Sequence, residues 1–513
     1  MFKTLKNDLP ASVVVFFVAL PLCLGIALAS GAPLFSGLIA GIVGGIVVGA
    51  ISGSKIGVSG PAAGLAAIVF SAIDNLGSFE IFLTAVVLGG IIQLILGLAK
   101  AGVIAYFFPS SVIKGMLTGI GIIIIKKQIP YFFGHETPRT VGFLEFFTSL
   151  DKTRMSPIII GLIGLGILIL WQQVLSKKGK IFQLIQGPVV AVVIGIVYYF
   201  ATLGNSDLAL NAVELVSVPV PDSVDSFFGQ FTFPDFSGIT NQEVWIVAFT
   251  IAIVASLETL LCVEATDKLD PDKNVTPTNR ELFAQGAGNI FSGLIGGLPI
   301  TQVIVRSSAN IQSGGKSKMS AIIHGFFLLI SIILIPTLLN KIPLSVLAAI
   351  LFIVGFKLAK PSTFMNMFKL GWKQFIPFMA TVLPMAITGD LLLGIGLGLA
   401  VGIVIILYKN YENSHFLHKE GEKGHVKMTL AEEVTFFNKG AILKELDSLP
   451  ENSDLVLDVT NTRYLDNDII EILEDFAHKA KERHINIKLI SERGIVENPD
   501  SYIEFFKLRP KSA

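Results

Sequence analysis

Charge is what this sequence lacks. Only 15% of its 513 residues are Asp, Glu, Lys or Arg, while 52% are hydrophobic; soluble domains carry about 25% charged residues. A chain so poor in charge cannot clothe itself in a water-facing surface, which excludes the ordinary soluble classes and points to an integral membrane protein. Cysteine is nearly absent too. Cys23 and Cys262, the only two, both sit in apolar segments, which excludes a disulfide framework and a cysteine metal cluster and reads as buried free thiols. Net charge is zero, so no overall basic excess points to nucleic acid. No catalytic triad, nucleotide loop or metal-ligand cluster occurs, so neither an enzyme nor a bound cofactor is expected.

What the chain has is apolar runs, recurring from residue 11 to about 408 and long enough to cross a roughly 30 Å hydrocarbon layer as helices. Spans are expected near 11–30, 33–52, 60–74, 79–99, 106–125, 156–174 and 187–203, then near 243–262, 281–297, 300–312, 319–338, 342–358, 374–388 and 390–408. That is a set of seven followed by another seven. Lys3 and Lys6 precede the first run, but Pro21 within it and a second span directly after it argue for a retained helix rather than a cleaved signal. With the N-terminus inside, Lys55, Lys100, Lys177, Lys178, Lys180, Lys268, Lys273, Arg280, Lys316, Lys318, Lys357, Lys360, Lys369 and Lys373 all fall in cytoplasmic connections. The opposite side has no Lys or Arg between Ala201 and Glu243, and departs from the rule in the stretch with Arg139, Lys152 and Arg154. An even count returns the C-terminus to the cytoplasm, so a multi-pass cell-membrane protein with both termini cytoplasmic is expected.

Beyond Tyr408 the composition turns polar through a linker, 409–424, and then reads as a small α/β domain over 425–513. VTFF, DLVLDV and NIKLIS read as strands; KGAILKELDSL and NDIIEILEDFAHKAKER read as amphipathic helices.

Two spans are unlike the rest. GVSGPAAGLAAIV (57–69) and GGLPITQVIVRSS (296–308) each open on glycine and proline and run helical for too few residues to cross a bilayer, and each is third in its set. Paired short, interrupted spans at matching positions mark a transporter's binding site. An odd number of spans per repeat inverts the second copy, so the two short helices would approach from opposite faces with their N-termini near the midplane. Two facing helix starts make an anion cradle, with Pro61 and Pro299 in the first turns and Gly60, Ala62, Ala63 and Thr301 small enough to let an anion reach the backbone. The bland alternative is a proline kink in each of two ordinary spans. Arg306 would lie near mid-membrane, where a charge is costly unless it faces a cavity or a partner. Glu258, in IAIVASLETLLCVEA, is either its static partner or the holder of a coupling cation or proton. Lys126 and Lys127 read as interface anchors ending the fifth span, and His135 as an exposed loop residue.

LPASVVVFFVALPLCLGIALASGAP, VSGPAAG, SLETLLCVEATDKLD, ELFAQGAGNIFSGLIGGLP and RSSANIQSGGKSK together resemble the SulP family of anion transporters, over essentially the whole chain. The resemblance implies a 14-span inverted-repeat helical membrane fold. Core spans 1–4 and 8–11 would occupy about 8–103 and 243–339, and gate spans 5–7 and 12–14 about 104–203 and 340–408, within a transport domain of 1–408. It also implies a cytoplasmic STAS domain, homodimers and elevator-type alternating access. The family's anion site maps onto Ser59, Gly60, Pro61, Ala62 and Ala63 with Pro299, Ile300, Thr301, Gln302 and Val303, closed by Leu22 and Ile26 from the first span, with Arg306 as the family's basic residue. Sodium-coupled bicarbonate carriers of the family offer an aspartate and a threonine where this chain has Glu258 and Cys262. A thiol is a poor ligand for a hard cation, which favours a coupling proton over sodium. In the STAS region, Leu465-Asp466-Asn467-Asp468 lacks the phosphorylatable serine of relatives.

The expectation is a proton-coupled symporter of a small inorganic anion, sulfate or bicarbonate. Alternatives are a sodium-coupled bicarbonate carrier, a dicarboxylate or nucleobase carrier on the same fold, and an anion channel.

Overall fold

The computed structural model describes residues 4–102, 109–136, 138, 141–178, 182, 186–204, 207–412, 415–419, 425–492, 494–499 and 501–507. Arg139, Lys180, the first residues of the expected fifth span, the expected core-gate boundary near 103–104 and linker positions 413, 414 and 420–424 lie outside the described residues. The chain forms two compact units, Met1–Leu399 and Ala400–Ala513.

In the first unit the apolar runs become helices: α1 Leu5–Ala29, α2 Leu34–Ile51, α3 Ala63–Leu76, α4 Phe79–Leu98, α5 Ser110–Phe132, α6 Met155–Gln173 and α7 Gly187–Thr202. The second series is α8 Gln242–Leu269, α9 Thr278–Leu294, α10 Ile304–Gln312, α11 Met319–Leu334, α12 Leu344–Leu358, α13 Trp372–Thr388 and α14 Leu391–Glu412. Each α1–α7 element has a counterpart in α8–α14, and the third of each series is short. Short strands β1 Ser59–Pro61 and β2 Ile300–Gln302 precede α3 and α10 and pair antiparallel, Gly60 opposite Thr301. Antiparallel pairing of corresponding segments is what two oppositely inserted repeats require. Helices Phe143–Thr148, Val224–Phe228 and Pro361–Lys369 are additional; they are short and lie outside the apolar runs that signal spans.

Helix packing here cannot draw on the hydrophobic effect against lipid, so it depends on close backbone approach and polar contacts. At the α4–α9 crossing, a Cβ on Gly90 would lie 2.7 Å from the Ile290 nitrogen and one on Gly286 2.6 Å from the Leu94 nitrogen. Only glycine allows that crossing. Within α2 the turns of Gly44–Val48 widen into a π-helix, and a Cβ on Gly44 would lie 2.6 Å from the Ser59 oxygen. The π-turn and its glycine together make room for β1.

Three expectations for this unit need correction. The fifth helix does not stop at Lys126 and Lys127 but continues to Phe132, because QIPYF keeps the helix apolar and Pro130 costs only one bond near its end. His135 is not exposed: it is 4% accessible, bonds Ser149 Oγ through Nε2 at 3.0 Å, and packs against Phe146. The prolines do not open the short helices. Pro61 lies in β1 and Pro299 just before β2, and the helices begin at Ala63 and Ile304. Proline disfavours helical geometry in the residue before it, so Gly60 is held extended.

The second unit contains the latter part of α14 and a five-stranded sheet: β3 His415–Lys419, β4 His425–Leu430, β5 Asp454–Asp458, β6 Asn486–Ser491 and β7 Gly494–Glu497. They run in that spatial order, the central β4–β5 and β5–β6 pairs parallel and the edges antiparallel. Helices α15 Lys439–Asp447, α16 Asn467–Glu482 and α17 Tyr502–Lys507 follow the sheet's alternation. The expected linker is partly structured, since α14 runs to Glu412 and β3 occupies 415–419. Of VTFF only Val434 is in a strand, the short Glu433–Val434 that pairs parallel with Tyr464–Leu465; beyond it the Thr435 N–H bonds Asn438 Oδ1 at 2.7 Å, which turns the chain into a 3-10 helix at Phe436–Asn438. In place of a phosphorylatable turn, Asp466 caps α16 by accepting the Asp468 N–H at 3.2 Å.

Candidate functional site

Extended backbone in the middle of a membrane protein must satisfy its N–H and C=O groups internally. The β1–β2 pairing serves some of them. Asn289 on α9 serves others as a clamp, accepting the Ile300 N–H at 2.6 Å and donating to the Ile300 carbonyl at 3.2 Å. Ile300 stands opposite Pro61, which has no N–H to give. Ser292 Oγ donates to the Leu298 carbonyl at 2.7 Å, the Val303 N–H to the Val58 carbonyl at 2.9 Å, and the Gln302 N–H to Thr259 Oγ1 at 3.3 Å.

With the strands fixed, α3 and α10 each begin two residues beyond their strand, at Ala63 and Ile304. Each start carries unpaired N–H donors and about half a positive charge from the helix dipole. Both helices are half-length, α3 about 21 Å and α10 about 13 Å at roughly 1.5 Å per residue.

Glu258 on α8 faces the first of these starts. Its Oε1 accepts the Gly64 N–H at 3.3 Å, its buried Oε2 has no hydrogen-bond partner among the described residues, and a Cβ on Gly64 would lie 2.5 Å from Oε2. Cys262, one turn along α8, is half-buried and faces the Ile304 N–H. The two residues of α8 thus each address one helix start.

Arg306 lies elsewhere. It is wholly buried, with Nη2 3.3 Å from Cys23 Sγ and the guanidinium so close to Gly60 that a Cβ there would collide with it. Its Nε and Nη1 have no hydrogen-bond partner, and among the described residues no ion pair joins it to Glu258. The static salt bridge is therefore not formed. The guanidinium sits behind β1, against α1 and α2, where Gly41 makes room for the Cys23 sulfur that it contacts.

A cavity of about 520 Å³ opens beside this assembly, lined by Val18 and Leu22 of α1, Ile304, Val305 and Ser308 of α10, and Trp171, Ile350 and Lys357 on the facing side. Leu22 is thus on the cavity wall, while Ile26 is buried one turn further along α1. Ser59, Gly60, Pro61, Ala62, Pro299, Ile300, Thr301 and Gln302 are buried in or beside the paired strands, and Ala63 and Val303 are half-buried at the helix starts. Arg306 does not line the cavity.

Sequence reasoning missed the polar ladder beneath the strands. Gln285 Nε2 donates to Ser59 Oγ at 2.8 Å and to Glu281 Oε1 at 2.9 Å, and Ser52 Oγ donates to Glu281 Oε2 at 2.5 Å. Asn289 Nδ2 also donates to Gln93 Oε1 at 2.6 Å, and Gln93 Nε2 to Ser256 Oγ at 3.2 Å. Glu281, Gln285 and Asn289 recur every four residues in TNRELFAQGAGNIFSGL, a polar stripe at helical spacing that was legible in advance.

A family model, the sulfate permease family, matches residues 5–381. Over 509 residues, 94% of this chain and 91% of the relative, the sequence is 27% identical to YvdB of Bacillus subtilis, whose name assigns sulfate transport provisionally. It is 24% identical to the bicarbonate transporter BicA of a Picosynechococcus species, over 99% of this chain and 92% of that protein. The solved transmembrane domain of a cyanobacterial BicA aligns with a TM-score of 0.65 and 26% identity, covering 79% of this chain and 98% of that one. The interrupted third helices, their paired strands and the match over most of the length agree: this chain belongs to the sulfate permease family and is a helical, multi-pass membrane transporter, not an enzyme.

Proposed function

We propose that the protein is a secondary active transporter of a small inorganic oxyanion, sulfate or bicarbonate, bound where α3 and α10 begin. The observation that carries this reading is the antiparallel register of Ser59–Pro61 with Ile300–Gln302, which aims two helix N-termini at one place. The N–H groups from Ala62 to Gly64 and those of Ile304 and Val305 would hold the anion, and Leu22 and Ile26 would close over it. Arg306 contributes its charge from behind β1 rather than by contact. Glu258, seated on the Gly64 N–H with one oxygen unpartnered, is the coupling group. Protonated, it leaves the α3 start more positive; ionised, it competes with the anion for the same N–H, so anion and proton favour one another. Cys262 makes sodium the weaker choice of coupling ion.

In this reading core helices α1–α4 and α8–α11 carry the site past gate helices α5–α7 and α12–α14 in an elevator movement. The protein works as a homodimer in the cell membrane with both termini cytoplasmic, and the C-terminal unit is a STAS domain. The test is uptake of radiolabelled sulfate and bicarbonate into proteoliposomes under imposed proton or sodium gradients. Accumulation of one anion driven by a proton gradient supports the proposal. Stimulation by sodium alone overturns the coupling assignment, and equilibration without accumulation makes the protein a channel.

A further inference from the structure

A second cavity, of about 280 Å³, lies further along α1, among different neighbouring helices. The first cavity touches α1 at Val18 and Leu22, the second at Leu28 and Ala29, so roughly 9 Å or more of helix separates them at about 1.5 Å per residue. Its walls come from α3 at Phe70, from α5 at Lys126, Lys127 and Gln128, and from Phe143 and Gly389.

Three consecutive residues of α5 make this cavity unlike an apolar packing defect. Lys126 is anchored: its ammonium donates to the Ala386 carbonyl at 2.9 Å and lies 5.1 Å from the Phe143 ring centre. Lys127 is not anchored. Its ammonium lies over the face of Phe70, and although Asp74 feels its charge, no ion pair between them is formed among the described residues. Gln128 is the independent observation: its side chain is wholly buried, and among the described residues neither its amide nitrogen nor its amide oxygen has a hydrogen-bond partner. A buried primary amide with neither end satisfied is costly unless something else occupies the space. The sequence-based reading of these lysines as lipid-interface anchors does not account for a cavity on their inner side.

We propose that this second cavity is an oxyanion-holding site on the transport route, in which the Lys127 ammonium and the Gln128 amide N–H hold the transported anion at the far end from the first cavity. This rests on the transport reading above. The ammonium exchanges the Phe70 face for the anion, and Phe70 belongs to the half-helix whose start addresses the principal site. Filling the second site therefore loosens a contact between α3 and α5.

The test uses a reporter cysteine at Phe143 in the full-length protein, with the unsubstituted chain as the control for Cys262, and follows its modification by a charged methanethiosulfonate reagent in detergent. Sulfate or bicarbonate should slow modification in a saturable way. Adding Lys127→Gln or Gln128→Leu should raise the half-protecting concentration about tenfold, the loss expected for one charge-assisted hydrogen bond. Absence of protection by either anion, or protection unchanged by both substitutions, overturns the proposal. So does protection seen only in anionic-lipid nanodiscs without added anion, which would assign the cavity to a lipid phosphate. Because the readout needs no transport, its failure is distinguishable from failure of the transport reading, which uptake by the unsubstituted protein decides.

Discussion

Replacing Arg306 with methionine separates a charge that serves the anion from one that serves the fold. The guanidinium is wholly buried, and among the described residues two of its nitrogens are unpartnered and its hydrogen-bond partner is the Cys23 thiol. A charge held this way is a liability to the fold, and replacing buried ionic groups by apolar ones of similar size is commonly neutral or stabilising by about 1–4 kcal/mol. On the proposed transport reading its benefit is to the anion. Gly60 touches the guanidinium, and the α3 N–H donors begin about two residues on, near 7 Å away at roughly 3.3 Å per extended residue. At an effective dielectric constant of about 20, two unit charges about 7 Å apart attract by about 332/(20 × 7), or about 2.4 kcal/mol. That is roughly a 50-fold change in affinity. Arg306→Met should therefore keep or raise the thermal midpoint in detergent while raising the half-saturating anion concentration roughly 50-fold. It should also lose the thermal shift that added anion gives the unsubstituted protein. Arg306→Lys, which keeps the charge, should recover most of the affinity. A lower midpoint with unchanged anion affinity would refute the reasoning and make Arg306 a structural residue.

Further outcomes follow from the same geometry. Glu258→Gln should retain downhill anion exchange in proteoliposomes but lose accumulation driven by an imposed proton gradient; retained accumulation removes Glu258 from coupling. Gly64→Ala would set a methyl 2.5 Å from the Glu258 carboxylate, so transport should fall at least about tenfold while the protein still elutes as a folded species, the cost of a small misplacement at a working site. Asn289→Leu strands both polar groups of Ile300 and should lower stability by about 2–4 kcal/mol, read as an earlier thermal midpoint. In the C-terminal unit, burial alone would raise the Asp458 carboxyl, but the Thr460 hydroxyl and N–H and the Lys427 ammonium outweigh it and hold it below its ordinary value. Its stabilisation is therefore present at neutral pH and lost as pH falls through that lowered value. Asp458→Asn should weaken hydrogen-exchange protection of β5 by about 1 kcal/mol at pH 7, and the difference should vanish at pH well below about 3.9.

The membrane class, the two sets of seven spans and the third, interrupted member of each set were legible in the sequence because they depend on composition and period. Bilayer thickness sets the length of an apolar run, and glycine with proline marks a broken one, whatever the rest of the chain does. Glu258 and Arg306 stood out for a similar local reason, as charges where lipid tolerates few. The tertiary structure decided what those residues face. Only the pairing of β1 with β2 turned two broken spans into facing helix starts, and it moved those starts past the prolines, because a strand partner and the Asn289 clamp satisfy backbone that would otherwise have coiled. Only packing placed Glu258 on Gly64 and Arg306 behind Gly60, so the two charges that sequence could pair are held apart. The same holds for Lys127 and Gln128: their polarity is written in the chain, but the cavity they share exists only where α1, α3 and α5 come together, and burial and contact are properties of neighbours distant in sequence.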